Sequence, residues 1–170
     1  MRKSGILKLH KKENISILAE AVRLTAAEFN LPQSYVEKDY FITKALLELS
    51  KFRYSSNVVF KGGTSLSKVY KSIYRFSEDV DLAILPEDDW TNNKIKKVIK
   101  AAIQSASVGL EDSGIPFRNG SRFRKERYNF PRMNWGVIHL SWISRLYGVR
   151  LNRLILIRCI NTNRSCIILT

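Results

Sequence analysis

Between Asn57 and Leu85 the chain must make a strand, a sharp glycine turn, a short helix and a second strand. Asn57 to Phe60 is a short β-branched and aromatic run, halted by Gly62 and Gly63, a pair that can take positive φ and let a ligand approach the backbone closely. Thr64 or Ser65 can then cap a helix running to about Tyr74, with Leu66, Val69, Tyr70 and Ile73 at helical spacing on its buried face. Asp79 to Leu85 reads as the next strand. Its period-2 alternation sends Asp79 and Asp81 to one face and Val80, Leu82 and Ile84 to the other.

The chemistry follows from that layout. A helix N-terminus with unpaired N–H groups and nearby hydroxyls suits an anion, and Lys61 and Lys68 are close enough in sequence to add charge there. Two carboxylates on one strand face, about 6–7 Å apart at a rise of about 3.3 Å per residue, repel unless a cation lies between them. Hard oxygen ligands favour Mg2+ or Mn2+, which can bridge a triphosphate and orient an attacking hydroxyl. A lone Asp-x-Asp is common at solvated strand ends; joined to the glycine turn it points to nucleotidyl transfer. A P-loop ATPase or kinase is excluded in favour of that reading, because Gly-x-x-x-x-Gly-Lys-Ser/Thr does not occur.

The order Phe-Lys-Gly-Gly-Thr-Ser-Leu-Ser-Lys-Val-Tyr from Phe60, then Arg-Phe-Ser-Glu-Asp-Val-Asp-Leu from Arg75, closely resembles the signature of the AbiEii-type nucleotidyltransferase toxins of type IV toxin–antitoxin and abortive-infection systems. Upstream, Val36-Glu37-Lys38-Asp39-Tyr40 is similar to that family's N-terminal helix, so the resemblance runs from about Leu31 to Leu85 and more weakly to Arg132. It implies that Gly63 and Ser65, within the Gly62-Gly63-Thr64-Ser65 turn, bind phosphate, that Asp79 and Asp81 bind metal and carry catalysis, and that Thr64 and Lys68 support the nucleotide. It further implies a nucleoside triphosphate substrate, Mg2+, a tRNA acceptor and a cognate antitoxin. A non-catalytic remnant that binds nucleotide or RNA is the alternative.

The rest of the chain sets the surroundings. Residues 13–29 form an expected amphipathic helix, with Ile17, Leu18, Ala21, Val22, Leu24 and Ala26 on its apolar side. Pro32 ends it, and Ser34 with Glu37 makes a capping box for a helix over 34–50 whose face carries Val36, Tyr40, Thr43 and Leu47. The Glu37-Lys38-Asp39 triplet then reads as a charged first turn, or, by the resemblance, as a supporting contact. Pro86 to Asp89 is an acidic exposed turn. Thr91 caps a helix to about Val108, with Ile95, Val98, Ile99, Ala102 and Ile103 packed and Lys94, Lys96, Lys97 and Lys100 outward, a solvated face that could also hold RNA phosphates. Asn119-Gly120 turns into a basic strand over 121–130 with Phe123, Tyr128 and Phe130 interleaved, suited equally to RNA contacts and to an ordinary edge strand. The expected architecture is α+β (α/β-like), a nucleotidyltransferase fold with a small mixed sheet from the 57–60, 79–85 and 121–130 strands, flanked by helices.

Composition bounds the setting. The 170 residues suit one domain, with 1–132 as the nucleotidyltransferase core and 133–170 as an atypical arginine-rich tail. Of the 29 lysines and arginines, seven arginines lie beyond residue 126, where no acid and no lysine occurs, so half of the net charge of +14 falls in the last quarter. Cys159 and Cys166 read as free thiols, and His10 and His139 as structural or surface residues. The N-terminus has no apolar run of signal-peptide length, and the stretch from Leu151 to Ile160 is too short and too charged to span a bilayer, so a cytoplasmic protein without membrane partners is expected.

The tail departs from the resemblance. Members are longer and follow the basic strand with an acid-bearing strand, then a later helical motif with a lysine and an Arg-Asp-x-x-Asp-like element. Here no Asp follows Asp112 and no Glu follows Glu126. The abrupt switch from lysine to arginine is what a frame-shifted or truncated reading frame produces. Translating the other two frames of the encoding DNA downstream of residue 132 is expected to restore the acidic strand and the later motif; if neither frame does, no shift occurred.

Overall fold

The structure, a computed structural model, describes residues 9–70, 79–114, 123–130, 137–143, 155–158 and 165–168. In chain order the elements are α1 (Ile15–Glu28), α2 (Gln33–Ser50), β1 (Val58–Lys61), α3 (Gly62–Lys68), β2 (Asp79–Ile84), α4 (Asn92–Ala106), β3 (Glu111–Asp112), β4 (Phe123–Asn129), β5 (Val137–Ile143), β6 (Ile155–Arg158) and β7 (Ser165–Ile168). The strands form one mixed sheet in the order β3-β4-β5-β2-β1-β7-β6. This is the expected α+β class, with a wider sheet. The β5 strand lies between β2, to which it is parallel, and β4, to which it is antiparallel. Val137–Ile143 is thus a strand that the expected three-stranded sheet did not include.

Strand parity divides the molecule. Val58 and Phe60 of β1 and Val80, Leu82 and Ile84 of β2 join Leu18 and Val22 of α1, Phe41, Ile42 and Ala45 of α2, and Ile95, Val98, Ile99 and Ala102 of α4 in one core. The three long helices therefore cover one sheet face. Phe41 stacks on Phe130 just beyond β4, with ring centroids 4.6 Å apart and planes 12° from parallel. The packed residues expected on α4 are all buried, and Thr91 caps it, its hydroxyl accepting from the Lys94 N–H at 3.2 Å.

Several local expectations are corrected. Only Leu18, Val22 and Ala26 of α1 are buried, while Ile17 and Leu24 are 48% and 54% exposed, because a single i, i+4, i+8 stripe meets the core. On α2 the buried residues are Glu37, Phe41, Ile42, Lys44, Ala45 and Leu49, whereas Thr43 and Leu47 face outward. No capping box forms at its start. Pro32 is the N-cap, which puts Glu37 five positions into the helix, past the N–H groups a box would satisfy. Lys44 is buried and donates its ammonium to the Val108 carbonyl just beyond α4, and burial lowers its pKa. The strand β4 pairs with β5 along its length and with β3 only at Tyr128 and Asn129. The helix α3 ends at Lys68, with Val69 and Tyr70 already outside it, short of the expected end near Tyr74; residues 71–74, the Asn119-Gly120 turn and Cys159 lie outside the described residues.

Glu37 carries the main cost of this packing. Its side chain is fully buried, and neither carboxylate oxygen has a hydrogen-bond partner among the described residues. Burial pushes its pKa from 4.5 up to about 7. Between those values the folded chain keeps a proton that the unfolded chain has released, so stability falls as pH rises from about 4.5 and levels off above about 7. Glu37→Gln should match the wild type in urea denaturation near pH 4 and exceed it by about 3 kcal/mol at pH 8. A pH-independent difference would contradict this account of the side chain.

Candidate active site

The glycine turn is built against β2. Lys61 ends β1 in extended conformation and Gly62 follows at φ 78°, a region that L side chains avoid. A Cβ on Gly62 would also overlap the Oδ2 atom of Asp81. Glycine is required here twice over, once for its backbone angle and once for the carboxylate packed against it. Gly63 follows as a helical residue of α3.

The two hydroxyls after the glycines look inward. Thr64 and Ser65 are buried; Thr64 Oγ1 donates to the Asp79 carbonyl, and Ser65 Oγ donates to the Gly62 carbonyl at 2.9 Å. Neither caps α3, which begins at Gly62 with Lys61 as its N-cap and no side-chain cap bond, instead of at Thr64. The physical reason is that the helix starts as soon as the strand ends, so both hydroxyls already lie inside its first turn. There they tie the turn to itself and to the strand carrying Asp79.

Lys68 is held on the other side of α3. Its Nζ lies 2.6 Å from Asp39 Oδ1 and 2.8 Å from Thr43 Oγ1, and Thr43 Oγ1 in turn donates to the Asp39 carbonyl at 2.8 Å. The lysine side chain is 19% exposed. This clamp joins α3 to α2 through Asp39, which, like Glu37 and Lys38, lies beyond the first turn of α2, a turn that holds no acid.

Asp79 and Asp81 are half-buried on the sheet face away from the helices. Register sets their neighbours: Lys61 of β1 opposes Asp81. On the other side, β5 presents His139 opposite Asp79 and Ser141 opposite Asp81. The strand β5 contains no carboxylate, and among the described residues no group of three or more His, Cys, Asp or Glu could hold a metal ion. The pair itself fits a hard divalent cation, since it offers two carboxylates at i and i+2 of one strand, with one packed against a turn whose backbone is held open by glycine.

Other candidate groups are engaged elsewhere. Glu126 accepts from Arg124 Nε and Tyr128 OH on the helix-covered side, and Tyr128 is raised by burial first and by Glu126 second. His10 Nδ1 lies 3.2 Å from Tyr40 OH, consistent with a structural role. Asp88 and Asp89 are exposed, while Glu87 accepts from the Trp90 indole at 3.2 Å. No helix among the described residues is long and apolar enough to cross a membrane. Sequence reasoning missed the placement of Lys61 opposite Asp81, although its parity was readable, since Phe60 must face the core and Lys61 therefore must not.

Comparison with curated proteins finds no match. Among solved structures the chain is similar to MenT4, a nucleotidyltransferase toxin from Mycobacterium tuberculosis, at 22% identity and a TM-score of 0.45, over 76% of this chain and 43% of that one. The chain thus spans less than half the length of that protein. The family model described as nucleotidyl transferase AbiEii toxin, type IV toxin–antitoxin system, matches residues 44–146, which takes in the glycine turn, the Asp79–Asp81 strand and β5. That match covers more than half of the sequence, and the chain belongs to the AbiEii nucleotidyltransferase toxin family.

Proposed function

We propose that this protein is a cytoplasmic toxin of a type IV toxin–antitoxin system that transfers a nucleotide from a nucleoside triphosphate to an acceptor hydroxyl, with tRNA as the acceptor. The observation that carries this reading is the Asp79–Asp81 pair set against the Gly62 turn, in a chain of this family. A divalent ion, Mg2+ or Mn2+, held by Asp79 and Asp81 would neutralise the triphosphate and orient the attacking hydroxyl.

The protein's own groups do the rest. The Gly62-Gly63-Thr64-Ser65 turn brings bare backbone close to the phosphates, and its two buried hydroxyls keep it in place against Asp79. Lys68 supports the nucleotide by fixing α3 to Asp39 and Thr43. With the triphosphate on the turn, the acceptor oxygen bonds to the α-phosphorus as the bond to pyrophosphate breaks. A cognate antitoxin is the further partner of this reading.

A second reading is favoured by one observation. The strand beside the pair brings Ser141 and His139 into register with it and no carboxylate, which suits a remnant that binds nucleotide or RNA without transfer. Purified protein incubated with labelled nucleoside triphosphates, Mg2+ and total tRNA separates the two. Label in RNA is the expected result, and salt-sensitive RNA binding without incorporation would favour the remnant.

Within the first reading, Asp81→Asn keeps the shape beside Gly62 and removes one charge from the cation site. Loss of a contribution of several kcal/mol to the transition state predicts a fall in kcat/KM of about a thousandfold, with an unchanged far-UV spectrum. Transfer by Asp81→Asn at the wild-type rate would remove the pair from the mechanism.

A further inference from the structure

The register of four strands sets a row of cations beside the carboxylates, Lys61 from the signature stretch itself and two from β4 that lie outside it. Reading across the sheet at one level, Lys61 of β1 opposes Asp81 of β2, Asp81 opposes Ser141 of β5, and Ser141 opposes Lys125 of β4. One step along, Asp79 opposes His139, and His139 opposes Arg127. Directly opposed residues share a sheet face, so Lys61, Asp79, Asp81, Lys125 and Arg127 stand on the same side. The intervening residues of β4 obey the opposite parity. Tyr128 belongs to the helix-covered core, and Glu126 and Arg124 pair on that same side.

The basic and aromatic stretch of β4 is therefore sorted by alternation, its tyrosine going to the core and two of its cations to the carboxylate face. Lys61 is adjacent to the pair, and β4 is two strand spacings away, about 10 Å. All three cations are half-buried, as are Asp79 and Asp81. Further along that face, Val59 and Ala83 are fully buried. Cations held at partial exposure bind oxyanions more strongly than those on a solvated surface, because screening is weaker there.

We propose that Lys61, Lys125 and Arg127 form a phosphate-binding row for the triphosphate of the nucleotide, bracketing the carboxylate pair from both sides. The proposal rests on the function proposed above and names the residues that would hold the polyphosphate. Lys61 takes the side next to the Gly62 turn, and Lys125 and Arg127 take the far side across β5. The lysines of α4 are set apart from this row, since α4 covers the opposite face and carries Lys96 and Lys100 on its exposed side.

The test is calorimetric binding of inorganic tripolyphosphate to the full chain, which needs no transfer activity. Lys61→Met and the double variant Lys125→Met/Arg127→Met should each weaken binding by about tenfold or more, and Lys96→Met/Lys100→Met by less than about twofold. Lys61→Arg and Arg127→Lys should recover most of the affinity. Thermal melts confirm that each variant is folded, and the two sites are independent, so loss of one variant leaves the other to decide. Equal losses in the α4 control, no loss in either site variant, or a loss confined to binding of an RNA oligonucleotide would overturn the proposal. If the expected losses appear while the wild type transfers no nucleotide, the phosphate row stands and the transferase reading fails.

Discussion

The contact between the Asp81 carboxylate and the Cα of Gly62 is the constraint on which the rest of the site depends. It exists because β1 and β2 are antiparallel neighbours in a register that puts Lys61 opposite Asp81, so the first residue after β1 lies alongside the aspartate. Any side chain at position 62 would meet the carboxylate, and any residue but glycine would be strained at φ 78°. The same contact places the first turn of α3 over Asp79, where Thr64 closes the arrangement by a hydrogen bond to the Asp79 backbone. Three further ties, from Ser65 to Gly62 and from Lys68 to Asp39 and Thr43, hold the turn from the other directions. A carboxylate pair whose geometry is fixed this way needs little reorganisation on taking up a cation.

Alternation then carries that local geometry across the sheet. Because the side-chain period of a strand is two, the register that buries Val80, Leu82 and Ile84 under the helices commits Asp79 and Asp81 to the other face. The commitment extends to β4 through β5, where Tyr128 is drawn into the core and Lys125 and Arg127 are left beside the pair. A slip of one residue in either pairing would bury two aspartates and expose the core strand, so hydrophobic packing and site chemistry enforce the same register.

Much of this was legible in the residues themselves. The glycine turn, the parity of Asp79 and Asp81, the Thr91 cap and the buried face of α4 all follow from short-range rules, and each is present. Where reading failed, the deciding contact was distant in sequence. Ser34 and Glu37 match a capping box, but Pro32 moved the helix start and the core took Glu37. The contacts of Lys68 with Asp39 and Thr43, twenty-nine and twenty-five residues away on another helix, were likewise beyond short-range rules. The strand β5 also went unassigned, and its parallel pairing with β2 joins segments far apart in sequence.

Electrostatics links these elements to the overall charge. A net charge of +14 says little by itself, and much of it lies on exposed helix surface or in the acid-free stretch beyond residue 126. The informative part is its local arrangement, with two carboxylates at the centre of one face and Lys61, Lys125 and Arg127 around them. That arrangement, more than the total charge of the chain, is what the proposed polyphosphate site rests on.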